Sequence, residues 1–302
     1  MSIQKTSILF TFFLLCMLSC KEKEGKTTNT KEETSIKQDT RLGGLALYTV
    51  RDAMAEDAKA TLKTVANIGY ATIEAAGYKD GSYYNMSPAD FKNYLATLNL
   101  TGVSTHQSSV TLDNAAVEMA HAKEAGFEYF VVPIPPMGLF NYDNDTNTMS
   151  MTGGAKNLAN ILDELGLKAK NAGLKLLYHN HDFEFKKDED GIVPIDYLLE
   201  NCNPDLVNFQ MDLFWVTKAG ADPLAYFEKY PGRFKMWHVK DINQEGNFAP
   251  VGNGTIDFAS ILAQKEKSGM LYYMVEQDKT FTMKPLEAIK VSHKAIEHIG
   301  FK

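Results

Sequence analysis

From residue 42 onward the chain alternates, eight times over, a short run rich in β-branched and aromatic residues with a longer run of helical period. A strand that is followed each time by a helix must meet its successor in parallel, because the helix carries the chain back to the end where it started. The patterning predicts strands over residues 42–50, 70–76, 101–108, 129–134, 175–181, 207–213, 234–241 and 272–278. Helices are predicted over 53–68, 88–98, 113–125, 152–172, 194–201, 223–230, 258–268 and 284–299. Punctuation agrees with these spans: Gly69, Gly126 and Gly173 stand where helices should stop, and Pro88, Pro194 and Pro223 where they should begin. Eight strand-then-helix units in about 260 residues are what a closed α/β barrel, a (β/α)8 or TIM barrel, requires. An open doubly wound sheet rarely reaches that count. No GxGxxG or GxxxxGK[ST] joins a strand to a helix, so a nucleotide-binding sheet would lack its phosphate loop.

Composition allows a real core and excludes one class of partner. With 44% hydrophobic and 23% charged residues, the chain resembles an ordinary globular protein rather than a disordered or fibrous one. Its net charge of −7 opposes nucleic-acid binding, which depends on clustered Lys and Arg.

The first residues have a different logic. Lys5 precedes an apolar run over residues 8–18 that ends in Met17-Leu18-Ser19-Cys20, too short to span a bilayer and followed by a charged, polar stretch. This reads as a signal peptide over 1–19, a solvated tether over 20–40 and a single barrel domain over 41–302. Cys20 follows a small residue at the end of the apolar run, as in a bacterial lipobox, although Met17 stands where Leu is more usual. Acylation of Cys20 would make an exported, membrane-anchored lipoprotein whose only membrane contact is the lipid. Cys202 is then alone in the folded part, so no disulfide can staple the barrel.

Barrels of this type build their active sites at the C-terminal ends of the strands. Here those ends are polar: Glu74 on the second strand, His106 on the third, His179 and His181 on the fifth, Asp212 on the sixth, His238 and Lys240 on the seventh, Glu276 on the eighth. Four of the seven histidines fall at such positions. The other three, His121, His293 and His298, lie on helices and read as surface or packing residues. Because alternate strand residues share a face, His179 and His181 point one way, as do His238 and Lys240. Imidazoles and carboxylates gathered from several strands suit one divalent Mn, Co or Zn ion better than a calcium cage of oxygens.

The runs Asn208-Phe-Gln-Met-Asp212, Met236-Trp-His238-Val-Lys-Asp, Pro250-Val-Gly-Asn-Gly-Thr-Ile-Asp-Phe258 and Met274-Val-Glu276 together resemble the successive signatures of xylose-isomerase-like sugar isomerases and epimerases. The resemblance extends from residue 42 to the end; it is specific in combination and weak piece by piece. It implies metal ligands Asp212, His238 and Glu276, with a fourth from the fifth strand. There the chain departs from the pattern, offering His179 where those epimerases usually have a glutamate. His179 is then the fourth candidate ligand, and His181 or Glu184 a candidate acid or base beside Glu276. Histidines at this strand are also a point of similarity with inosose dehydratases, which eliminate water.

The implied chemistry is proton abstraction next to a carbonyl, with the metal stabilising the enediolate. Glu276 is the candidate base. Glu74, His106, Lys240 and Trp215 are candidate substrate-binding residues, with Phe214 and Tyr48 as further apolar faces for a sugar ring. The expected partner is a small carbohydrate, free or oxidised to a keto form, selected by the loops over 79–87 and 133–152. Two other readings stand beside the isomerase: a lyase or hydratase acting on a keto-glycoside or cyclitol, and a non-catalytic carbohydrate-binding lipoprotein. A nuclease on the same barrel would want several metals and a basic face. Association into a homo-oligomer stays open.

Overall fold

The computed structural model of the protein describes residues 43–188 and 190–301, so the expected signal peptide, tether and Cys20 lie outside the described residues. Eight parallel strands form a closed barrel: β1 (Gly44–Ala46), β2 (Thr72–Ala75), β3 (Thr101–His106), β4 (Tyr129–Val132), β5 (Lys175–His179), β6 (Val207–Asp212), β7 (Phe234–Val239) and β8 (Tyr272–Val275). Each pairs with its sequence neighbours, and β8 closes on β1 with Gly44 opposite Met274 and Leu45 opposite Val275.

The helices around it are α1 (Arg51–Ile68), α2 (Pro88–Thr97), α3 (Ala115–Glu124), α4 (Gly154–Asn171), α5 (Pro194–Asn201), α6 (Leu213–Lys218), α7 (Pro223–Lys229), α8 (Phe258–Leu262), α9 (Lys265–Ser268) and α10 (Pro285–Ile299). Pro88, Pro194 and Pro223 each occupy a first helical position, where a missing N–H costs nothing. Gly69 ends α1 at φ 120°, a conformation that disfavours a side chain.

Four differences from the expected elements appear, the first three of them around the site. Leu47–Val50 leaves the first strand as a tight helical turn that runs into α1. Leu213 begins α6 rather than ending β6, because the Asp212 carboxylate accepts the N–H groups of Phe214 and Trp215 and so caps a helix there. The loop over 133–152 contains a hairpin, Phe140–Asp143 against Thr148–Met151, whose turn is held by Asp143 Oδ1 accepting from Asp145 and Thr146 N–H. The helix predicted over 258–268 is two short pieces, α8 and α9.

Two apolar layers hold the fold. Outward-facing strand residues such as Ile73, Phe130, Tyr178, Phe209 and Trp237 pack against the helices. Inside the barrel a smaller cluster of Ala46, Val103, Tyr129, Val131, Leu177, Met236 and Met274 forms a floor. Continuing each strand by two residues on the same face leads from floor to ceiling: Leu177 to His179, Met236 to His238 and then Lys240, Met274 to Glu276. The polar cluster therefore rests on buried apolar side chains, of which each valine, leucine or methionine contributes about 1.5–3 kcal/mol when fully removed from water.

Beyond β7, the Asp241 carboxylate accepts N–H groups from Ile242, Gly252, Gly254 and Ile256 at 2.9–3.2 Å. This clamp explains the Val-Gly-Asn-Gly-Thr-Ile run: a Cβ on Gly254 would lie 2.2 Å from Asp241 Oδ1 and 2.5 Å from the Ile242 carbonyl oxygen. Gly254→Ala is expected to lower the unfolding free energy by about 3 kcal/mol, combining overpacking with a lost hydrogen bond. Urea titration checks this, and a change below about 1 kcal/mol would contradict the clamp.

Candidate active site

Strand register assembles the cluster. β6 and β7 set Asp212 opposite His238, and β5 and β6 set His179 opposite Gln210. With Asp212 Oδ1 committed to the start of α6, Oδ2 faces inward, 2.8 Å from Lys240 Nζ, 3.7 Å from His179 Nε2 and 3.8 Å from His238 Nδ1. The His238 ring is fully buried between two carboxylates: Nδ1 is 2.8 Å from Glu276 Oε2 and Nε2 is 2.7 Å from Glu74 Oε1. Burial alone would lower its pKa, but Glu276 and Glu74 outweigh burial and raise it to about 10.

Lys240, 1% exposed, places Nζ 2.6 Å from Glu276 Oε2, 2.8 Å from Asp212 Oδ2 and 2.8 Å from Asp278 Oδ1. Burial works against its charge, yet these carboxylates hold the ammonium well above its ordinary pKa. Glu276 is pulled the other way: burial would raise it, but Lys240 and His238 keep it well below the usual carboxylate range. Asp212, pushed up mainly by burial and further by Glu276, against the opposing pull of Lys240 and His238, reaches about 6. Burial also keeps His179 neutral, well below its ordinary value, with its lone pair available.

Ligand atoms of Asp212, His238 and Glu276 lie within 4.8 Å of one another, and so do those of His106, His179 and His238. One ion can bridge such spacings, and the mixed nitrogen and oxygen donors suit a borderline divalent cation. The buried carboxylates of Asp212 and Glu276 and the half-buried Asp278 face a single lysine, a negative excess that such a cation relieves. His179, Asp212, His238 and Glu276 are the residues that would hold it. Glu74 on the far nitrogen of His238 and Gln210 Oε1 at 2.9 Å from His179 Nδ1 orient the rings, an arrangement typical of ligating histidines.

Above the cluster lies a cavity of about 600 Å³ lined in part by His106, His179, His181, Trp215, Lys240 and Glu276. These are the expected site residues that the fold brings together. Two others require correction. Glu74, expected to bind substrate, sits beneath the cavity with both oxygens occupied: by the rings of His106 and His238, by Ser104 Oγ and by Gln210 Nε2, at 2.7–2.9 Å. Glu184, a candidate acid or base, is fully buried and turned outward, accepting from the Tyr178 hydroxyl at 2.7 Å and the His181 N–H at 2.8 Å. It braces the turn that presents His181.

Gln210, Ser104 and Asp278 escaped the sequence reading. Gln210 was accessible in principle, since it precedes Asp212 by two and shares its face. Its amide joins Glu74, His106 and His179 in one network.

Burial drives Glu184 up to about 8 from 4.5, although both of its donors favour the charged form. Between those values the native state keeps a proton that the unfolded chain has lost, so stability falls as pH rises through the window. Glu184→Gln is expected to flatten that fall. Urea midpoints near pH 5 and pH 8 test it; a drop as large as in the parent protein would refute it.

Comparison with known proteins agrees with this geometry. The profile of a family described as "Xylose isomerase-like TIM barrel" matches residues 62–296, from within α1 to within α10. An inosose dehydratase of Clostridium tetani is 31% identical over 163 residues, 47% of this chain and 53% of that protein. One of Clostridium perfringens is 33% identical over 157 residues, covering 45% and 52%. The chain thus spans about half the length of the curated relatives it matches. Among solved structures, a sugar phosphate isomerase/epimerase of Parabacteroides distasonis superposes with a TM-score of 0.73 at 24% identity, over 90% of this chain and 98% of its own. The IolI protein, solved with a bound zinc atom, superposes with a TM-score of 0.64 at 17% identity, over 85% and 96%. Closed barrel, ceiling of polar strand ends and matched profile lead to one conclusion: the chain belongs to the xylose isomerase-like TIM barrel family.

Proposed function

We propose that this barrel is a metal-dependent carbohydrate lyase that removes a proton next to the carbonyl of a keto-sugar or keto-cyclitol and expels an oxygen substituent β to that carbonyl. The observation that carries this reading is the asymmetry of the site. Glu276 lines the cavity as a carboxylate among the candidate ligands, while β5 and the turn after it offer His179 and His181 where epimerisation would want a second glutamate. The inosose dehydratases it resembles over half their length support the same direction.

A bound divalent cation would polarise the substrate carbonyl and stabilise the enediolate. Glu276 takes the proton; the C–H electron pair forms the new C=C bond, and the substituent oxygen leaves with its bonding pair and the proton that Glu276 has taken, which restores the carboxylate. His181 stays neutral, since burial lowers it to about 3, and acts as a hydrogen-bond partner for substrate oxygens. His106 lines the cavity and meets a further oxygen, Lys240 spends its three N–H donors on Glu276, Asp212 and Asp278 and so positions the base, and Trp215 supplies an apolar face. Isomerisation is the second reading, favoured by Lys240 Nζ at 2.6 Å from Glu276 Oε2, which can help one base move a proton along one face of the substrate.

NMR of candidate keto-sugars in D2O with added Mn2+, Co2+ or Zn2+ decides between them. Loss of water or aglycone with an enone product supports the lyase, and solvent deuterium in an isomerised product supports the isomerase. Neither, with retained sugar binding, would leave a binding protein. We propose in addition that the chain is exported and lipid-anchored at Cys20, a reading that rests on its first twenty residues; failure of Cys20→Ala to abolish radiolabelled-palmitate incorporation would overturn it.

A further inference from the structure

Beside the main cavity lies a second of about 300 Å³, lined by residues that include Tyr48, Arg51, Ala55, Tyr78, Tyr84 and Asn85. The two share Tyr48, Arg51 and Ala76 as a common wall. Tyr48 is 41% exposed, and the Arg51 guanidinium lies over its ring at 4.4 Å. One guanidinium N–H is committed to the Tyr48 carbonyl oxygen at 2.9 Å; others remain to donate. An aromatic face next to spare donors is what a sugar or aryl ring packs on. The wall stands beside the reacting groups: Gln277 N–H donates to Thr49 Oγ1 at 3.0 Å, tying the residue after Tyr48 to the residue after Glu276.

The loop that forms the far side of this hollow is held in an unfavourable backbone shape. Asp80, Tyr84 and Asn85 have φ of 49°, 52° and 63°, and Tyr84 is a bulky residue in a region that costs of order 1–3 kcal/mol. Its hydroxyl accepts the Ala76 N–H at 2.9 Å and its N–H donates to Gly77 O at 3.1 Å, while the Tyr78 hydroxyl meets His121 Nδ1 at 2.8 Å.

We infer that the second hollow is a subsite for the second ring of a glycoside, the ring joined to the sugar that reacts at Glu276. This rests on the lyase reading above and names its substrate class: a two-ring glycoside in place of a free monosaccharide. In that setting the departing oxygen is the one that joins the rings.

Calorimetric titration of the full chain with methyl, phenyl and glucosyl glucosides, in both anomeric forms, tests it by binding alone. The two-ring ligands are expected to bind about tenfold tighter than the methyl glucoside. Ala55→Trp, which fills the second hollow from α1, should abolish that advantage and leave the methyl glucoside unchanged; Ser82→Tyr fills it from a different element if the first variant does not fold. Equal affinity for one-ring and two-ring ligands in the parent protein, or an advantage that survives both fillings, overturns the subsite. Tight two-ring binding without turnover of any keto-sugar would instead overturn the lyase and retain the subsite.

Discussion

Glu276→Gln is expected to reduce turnover of a keto-sugar by about 10²–10⁴-fold, the usual contribution of a positioned general base. The amide keeps the size of the carboxylate and one acceptor oxygen, so it can still meet His238 or Lys240, but it can no longer take a proton. Lys240 retains Asp212 and Asp278, and His238 retains Glu74, so the cluster does not collapse. Losing one of four clustered carboxylates also relieves repulsion, and the thermal midpoint should change little. The substitution weakens one candidate metal ligand as well, so metal content is measured alongside. Full metal occupancy with lost deuterium exchange identifies the base. Turnover within about threefold of the parent, far inside the range for a general base, would remove Glu276 from that role.

Glu74 should matter as much without touching substrate. Glu74→Ala strips partners from His238, His106, Ser104 and Gln210 at once, and uncompensating a buried charge cluster costs about 3–5 kcal/mol. Glu74→Gln keeps the volume but not the charge that orients His238, and is expected to weaken Zn2+ binding by about 10–100-fold. The pH dependence has a definite sign. Burial works to raise the Glu74 pKa, but the His106 and His238 rings hold it well below its ordinary 4.5. The stability it supplies is therefore present above about 4.5 and is lost as pH falls below that value toward the native pKa. Glu74→Gln should lose part of the acid-side decline seen in urea midpoints. Unchanged Zn2+ affinity by calorimetry would show that the ring needs no such partner.

Barrel and ceiling differ in how far they can be read from residues alone. Alternation along a strand is a local property of the backbone, so Leu177 and His179, or Met236, His238 and Lys240, declare a shared face before any fold is known. Prolines and glycines likewise mark helix ends through their own φ restrictions, and Pro88, Pro194 and Pro223 start helices where expected. The hairpin at Phe140–Met151 was less visible, because Asp143 makes its turn through side-chain contacts that composition does not signal.

Glu184 and Glu276 show where local reading stops. Both are glutamates just beyond a strand, yet one reaches the cavity and the other is locked behind it by Tyr178. Glu74 and His238 are 164 positions apart and meet only because the barrel closes with a particular stagger between strands. The sequence by itself determined the eight strand–helix units, the faces of their residues and the polar strand ends, since each follows from short-range backbone geometry. Only the tertiary structure decided which carboxylate orients a ring, which faces the cavity and which braces a turn, because those roles depend on contacts between strands whose relative register no local pattern encodes.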